Sequence, residues 1–89
     1  MESPLVCIID AIPEEGRAAH FALAAALFRT QTQERRDVPN GYAFRFTPDT
    51  LEALVRFVSK ERRCCPFLSF TITVTANSGP VWLEIAGPE

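Results

Sequence analysis

Hydrophobic and polar residues alternate strictly along 70–75 and 81–85, and along 42–46 Tyr42, Phe44 and Phe46 occupy every second position. A period of two puts one set of side chains on one face of a strand, so each segment reads as a half-buried strand. Ala76-Asn77-Ser78-Gly79 supplies turn chemistry between the last two strands. Pro39-Asn40-Gly41 does the same between a weak strand at 35–38 and the strong one at 42–46. The apolar period then changes. Leu51, Leu54, Val55 and Val58 follow i, i+3, i+4, i+7 and predict a helix with its core stripe on those four residues. Thr47 with Pro48, or Asp49 with Glu52, would cap its start.

Nearer the N-terminus, residues 5–9 form a short run of branched apolar side chains, the pattern of a strand buried on both faces in the middle of a sheet. Pro13, Glu14 and Glu15 suit the first turn of a helix running to about Thr30, because proline needs no partner there and acids favour the positive end of the dipole. From 21 to 28 that helix is apolar on nearly every side, which predicts cover on two faces and hence a homodimer contact. The order strand, helix, two strands, helix, two strands predicts an α+β two-layer sandwich. It would be a ferredoxin-like antiparallel sheet with two helices on one face and an added C-terminal strand, in a single domain spanning 1–89.

With 89 residues, 47% of them apolar and 22% charged, the chain can bury one core and is not a disordered polymer. A formal net charge of -2 gives no basic footprint for nucleic acid. The two Glu-Arg-Arg triplets, 34–36 and 61–63, each carry their own acid and read as solvated edges. No apolar run is long enough to span a bilayer, and 5–9 is too short for a signal-peptide core, so no membrane association and a cytoplasmic location are expected.

That expectation changes how the three cysteines are read. An odd number of thiols without a secretion signal argues against a disulfide framework. Cys64 and Cys65 are adjacent, just before Pro66, which pushes the preceding residue out of helical geometry. On a continuing helix Cys65 would fall on the core stripe and Cys64 on its rim near Phe57. With Cys7 as third ligand the pair would make a trigonal sulfur site for a soft ion such as Hg(II), As(III), Cd(II) or Pb(II). Two other readings stand beside it. In the first, Cys7 and Cys65 are small buried hydrophobes and only Cys64 is exposed, the cysteines being incidental in a dimerising structural or sensory module. In the second, the pair is a thiol–disulfide couple lacking the Cys-x-x-Cys spacing and placed where the helix dipole opposes a thiolate. No catalytic set accompanies them, so the chain reads as a binding protein and not an enzyme. His20 reads as a partly exposed or interface residue, and Glu14, Glu15, Glu52, Glu61 and Glu84 as solvated carboxylates. Trp82 and Phe70 read as core or sheet-face side chains.

Glu61-Arg62-Arg63-Cys64-Cys65-Pro66-Phe67-Leu68-Ser69-Phe70, then Gly79-Pro80-Val81-Trp82-Leu83 and Gly87-Pro88-Glu89, resembles a family of small, largely uncharacterised bacterial proteins. That family carries a Cys-Cys-Pro-Phe segment and a Gly-Pro-x-Trp-Leu hairpin. Cys7 matches a cysteine on the family's early strand, and 39–46 matches its middle strand. The resemblance implies heavy-metal or metalloid handling. Relatives tend to continue past Gly-Pro-Glu with a further helix. The metal-transfer domains of ferredoxin-like fold carry Cys-x-x-Cys after the first strand, where this chain has Asp10-Ala11-Ile12-Pro13.

Overall fold

The computed structural model describes residues 13–88. Helix α1 spans Glu14–Ala25 and continues into a π-helical turn, Ala26–Gln31. Strands β1 (Glu34–Val38) and β2 (Gly41–Phe46) form a hairpin. A 3-10 turn, Pro48–Thr50, leads into α2 (Leu51–Cys64), and β3 (Ser69–Val74) and β4 (Val81–Ala86) close the order. The four strands make one antiparallel sheet in the order β1-β2-β4-β3. The architecture is an α+β two-layer fold, as the patterning predicts.

The strand order corrects the finer expectation. A ferredoxin-like sheet with an added terminal strand would place β4 at an edge, whereas β4 pairs β2 through Phe44↔Leu83 and β3 through Ile72↔Leu83. The two inner positions of the described sheet are therefore β2 and β4. The reason is burial: Val81 and Leu83 are 1% and 0% exposed, while the outer strand β3 leaves Val74 60% exposed. An inner strand has neighbours on both sides to shield its apolar face. The expected strand at 5–9 lies outside the described residues.

Both hairpins turn as their residues dictate. Asn40 takes φ 64 after Pro39, and Asn77 and Ser78 take φ 60 and 57. Left-handed φ at two successive positions matches the right-handed twist of the β3–β4 pair, and asparagine tolerates it best among residues other than glycine. Gly41 is required for a different reason. A Cβ there would sit 1.9 Å from the Ile85 carbonyl oxygen, so β4 could not approach β2.

The core joins the helices to one face of the sheet. Leu27, Leu54, Phe46 and Leu83 are fully buried, with Phe57 and Val81 beside them. Phe28, delivered by the π-helical turn, lies edge-on to Phe44, Phe46 and Phe57 at centroid separations of 4.9, 6.0 and 5.1 Å. Such edge-to-face contacts set the negative face of one ring against the positive rim of the next. Neither proposed cap operates as a side-chain cap: no side chain caps the 3-10 turn or α2. Thr47 Oγ1 bonds the side chains of Asp49 and Thr50 instead.

The stripe on α2 is broader than the one expected and shifted to one side. Leu51, Leu54 and Val58 pack in the core as expected, but Val55 is 50% exposed, and the buried line runs Thr50, Leu54, Phe57 and Cys64. Steps of four and three residues advance about 700° per seven residues, nearly two turns, so Phe57 and Cys64 lie almost above one another. Phe57 takes the core place because its ring meets Phe28 and stacks on His20, 12° from parallel. This shift brings Glu61, midway between them, toward α1.

Candidate functional site

Cys64 is the last residue of α2 and Cys65 its C-cap, with φ -121 and ψ 76. The helix ends where Pro66 predicts, because the proline ring clashes with a helical residue before it. The Cys65 amide still donates to the Glu61 carbonyl at 2.8 Å, which ties the cap to the last turn. Both side chains are buried, Cys64 to 5% and Cys65 to 1% exposure, under Phe67 and Leu68. The reading that leaves Cys64 exposed is thereby overturned: Cys64 follows Phe57 by two turns on the same buried line and packs in a second, smaller cluster.

The two sulfurs differ in state. Cys65 is disulfide-bonded, and Cys64 is a buried thiol. They are therefore not a vicinal disulfide. Cys7, the third predicted ligand, lies outside the described residues. Among the described residues no three His, Cys, Asp or Glu side chains gather as a metal-holding group.

Two further residues join the site. Cys65 Sγ stands 3.3 Å from Glu61 Oε1, the contact through which a thiol at this position would donate its proton. A sulfur in a disulfide has no proton to give, so the hydrogen bond belongs to the reduced form. The other oxygen of the same carboxylate, Oε2, is 2.7 Å from His20 Nε2. An ionised carboxylate only accepts, so Nε2 carries the proton and donates it. His20 is 2% exposed, flanked by Phe21 at 6.0 Å and stacked on Phe57 at 5.6 Å. Its Nδ1 is buried without a hydrogen-bond partner among the described residues. One carboxylate thus links a buried imidazole on α1 to a buried sulfur at the end of α2.

This corrects two expectations. His20 is not partly exposed, and Glu61 is not a solvated edge, since its side chain is only 22% exposed. The other triplet behaves as expected: Glu34 accepts from Arg36 Nε at 2.6 Å on the solvent side of β1. Glu61 carried one usable signal, its i, i+4 spacing from Cys65. His20, 41 positions away, carried none.

The electrostatics of the sulfur site are one-sided. The last carbonyls of α2 point toward it, and the Glu61 carboxylate touches Cys65. Arg62 and Arg63 are in the last turn of α2 but are exposed. A lone thiolate would face negative charge and a negative dipole end, whereas a cation would be attracted by both.

Elsewhere, the sheet face away from the helices carries Trp82, with the Arg36 guanidinium 4.7 Å from the ring centroid. Trp82 is thus a sheet-face residue. No helix among the described residues is long and apolar enough to cross a membrane. Comparison with protein-family models, with curated proteins and with solved structures finds no match to this chain.

Proposed function

We propose that the reduced chain captures a soft metal or metalloid ion of the Hg, As, Cd or Pb class through Cys64 and Cys65, with Cys7 as third sulfur. The observation that carries this reading is the burial of two adjacent cysteines at the C-terminal end of α2, with the Glu61 carboxylate against the Cys65 sulfur. Those surroundings repel an isolated thiolate and attract a cation. A thiol–disulfide catalyst needs the reverse, because its nucleophile is a bare thiolate. A bound soft cation neutralises the sulfur charge and turns the carboxylate and the dipole end into favourable neighbours.

The disulfide at Cys65 fits as the oxidised form. In that state at least one of the three proposed ligands, Cys65, is consumed. Two electrons and two protons from a thiol or phosphine reductant convert the disulfide to two thiols and open the site.

The test is titration of the fully reduced, desalted protein with Hg(II) under anaerobic conditions, following the sulfur-to-metal charge-transfer absorption. One ion per chain is expected, and the Cys64→Ser, Cys65→Ser double variant should bind at least about 100-fold more weakly, about 2.8 kcal/mol. Equal affinity in that variant refutes the proposal.

A second reading, a thiol–disulfide redox protein, is favoured by the disulfide standing beside the Cys64 thiol. It requires exchange between the neighbouring sulfurs. Mild oxidation of the reduced chain, followed by mass analysis of the peptides, should then yield some Cys64–Cys65 disulfide. Its complete absence removes this reading.

A further inference from the structure

A cavity of about 310 Å³ opens between the two helices and is lined by Ala19, His20 and Leu23 of α1 and by Arg56 and Lys60 of α2. Among the described residues its ionisable lining groups are two cations and an imidazole. We propose that this cavity binds a small, doubly charged oxyanion of the sulfate or phosphate type, a site separate from the cysteine centre.

Three observations support it. Arg56 and Lys60 are four residues apart on one helix face, a spacing at which like charges repel, and neither forms an ion pair within the described residues. A dianion between them converts that repulsion into two charge-assisted bonds. Lys60 also reaches across to α1: a Cβ on Gly16 would lie 3.7 Å from its Nζ, so the ammonium crosses the cleft at the start of the helix. The third is His20, a buried wall of the cavity whose Nδ1 lacks a partner among the described residues. A buried ring nitrogen without a partner is unfavourable, and a ligand that bonds it once it is protonated removes that penalty.

Glu61 sets the direction of the chemistry. With Nε2–H committed to Glu61, a neutral ring offers only a lone pair at Nδ1, and an anion needs a proton there. Binding therefore takes up one proton, and the imidazolium donates to Glu61 on one side and to the oxyanion on the other. Among the described residues the charged groups that face this ring are Glu61, Arg56 and Lys60 from α2, and Arg17 lies one turn earlier on α1. The cavity volume suits a tetrahedral anion and excludes a large organic phosphate from full enclosure.

The experiment is a titration of the whole chain with sodium sulfate, chloride being exchanged out to hold ionic strength constant, followed through the His20 ring resonances by NMR. A saturable shift is expected, in the direction of ring protonation. The Arg56→Gln, Lys60→Gln double variant, altered only at exposed positions, should weaken it at least tenfold while leaving the unfolding midpoint within experimental error. A linear drift equal to that in chloride overturns the proposal, as does unchanged affinity in the double variant. Because the readout is sulfate at constant redox state, its failure leaves the cysteine reading standing.

Discussion

Replacing Glu61 by alanine isolates what the carboxylate does for a buried imidazole. The His20 side chain is 1% exposed, and its only hydrogen bond among the described residues is the 2.7 Å contact from Nε2 to Glu61. Removing the acceptor strands a buried donor next to a ring nitrogen that is already unpartnered, at a cost of about 1–3 kcal/mol. Two terms act the other way. Alanine is the better helix former by a few tenths of a kcal/mol. Removing an acid from the last turn of α2 relieves about 0.3–1 kcal/mol of dipole repulsion. The net expected loss is centred on about 1 kcal/mol, with an upper bound of about 2.5 kcal/mol. Glu61→Gln, which keeps an acceptor, should lose less than about 1 kcal/mol. Urea unfolding followed by circular dichroism, at one pH and with the disulfide intact throughout, measures each difference as a midpoint shift at constant slope. Adding His20→Phe completes a cycle, since a phenyl ring can keep the stacking on Phe57 without a donor to satisfy. The double variant should be more stable than Glu61→Ala alone, with a coupling of about 1–2 kcal/mol. A Glu61→Ala protein within about 0.5 kcal/mol of the parent, with no coupling to His20, would refute the assignment of a buried, satisfied pair.

Gly41→Ala should cost about 3 kcal/mol and disturb the β2–β4 pairing, visible as lost amide protection at Gly41 and Ala86, because the new Cβ meets backbone that cannot move aside. The Glu34 carboxyl is held below its ordinary value of 4.5, chiefly by the hydrogen bond from Arg36; desolvation, the next effect in size, opposes it, and the charges of Arg36 and Arg45 add smaller depressions. A depressed carboxylate stabilises the fold above its unfolded pKa and loses that contribution as pH falls below 4.5 through the folded value. Arg36→Ala should move the NMR titration of Glu34 back up toward 4.5. If the apolar face of α1 seats a second copy, its 52% exposed Phe21 lies in the contact, and Phe21→Lys should convert a dimer to a monomer by sedimentation. A parent chain that sediments as a monomer removes the homodimer expectation.

Much of the fold was legible because it rests on local periodicity. Alternation located β2, β3 and β4, Asn40 and Asn77 marked their turns, and Pro66 marked the end of α2. The stripe of α2 was right at Leu51, Leu54 and Val58 but included Val55 and left out Phe57, because both lines satisfy helical spacing. Only contact with Phe28 and His20 chooses between them. Strand order was misread for a similar reason. Local patterns say which segments are strands, while the order depends on which strand has apolar neighbours to cover it, and Val81 and Leu83 took the inner place for β4.

By itself the sequence determined that two cysteines stand together at a helix end, because adjacency and the proline after them are facts of the chain. Only tertiary structure decided what surrounds them. The Phe57 face of α2 turned inward, and the same rotation buried Cys64 and carried Glu61 to His20 across 41 positions. Side chains that distant in sequence share no local pattern. They meet because two helices pack on one sheet, and burial then forces their polar atoms to find each other.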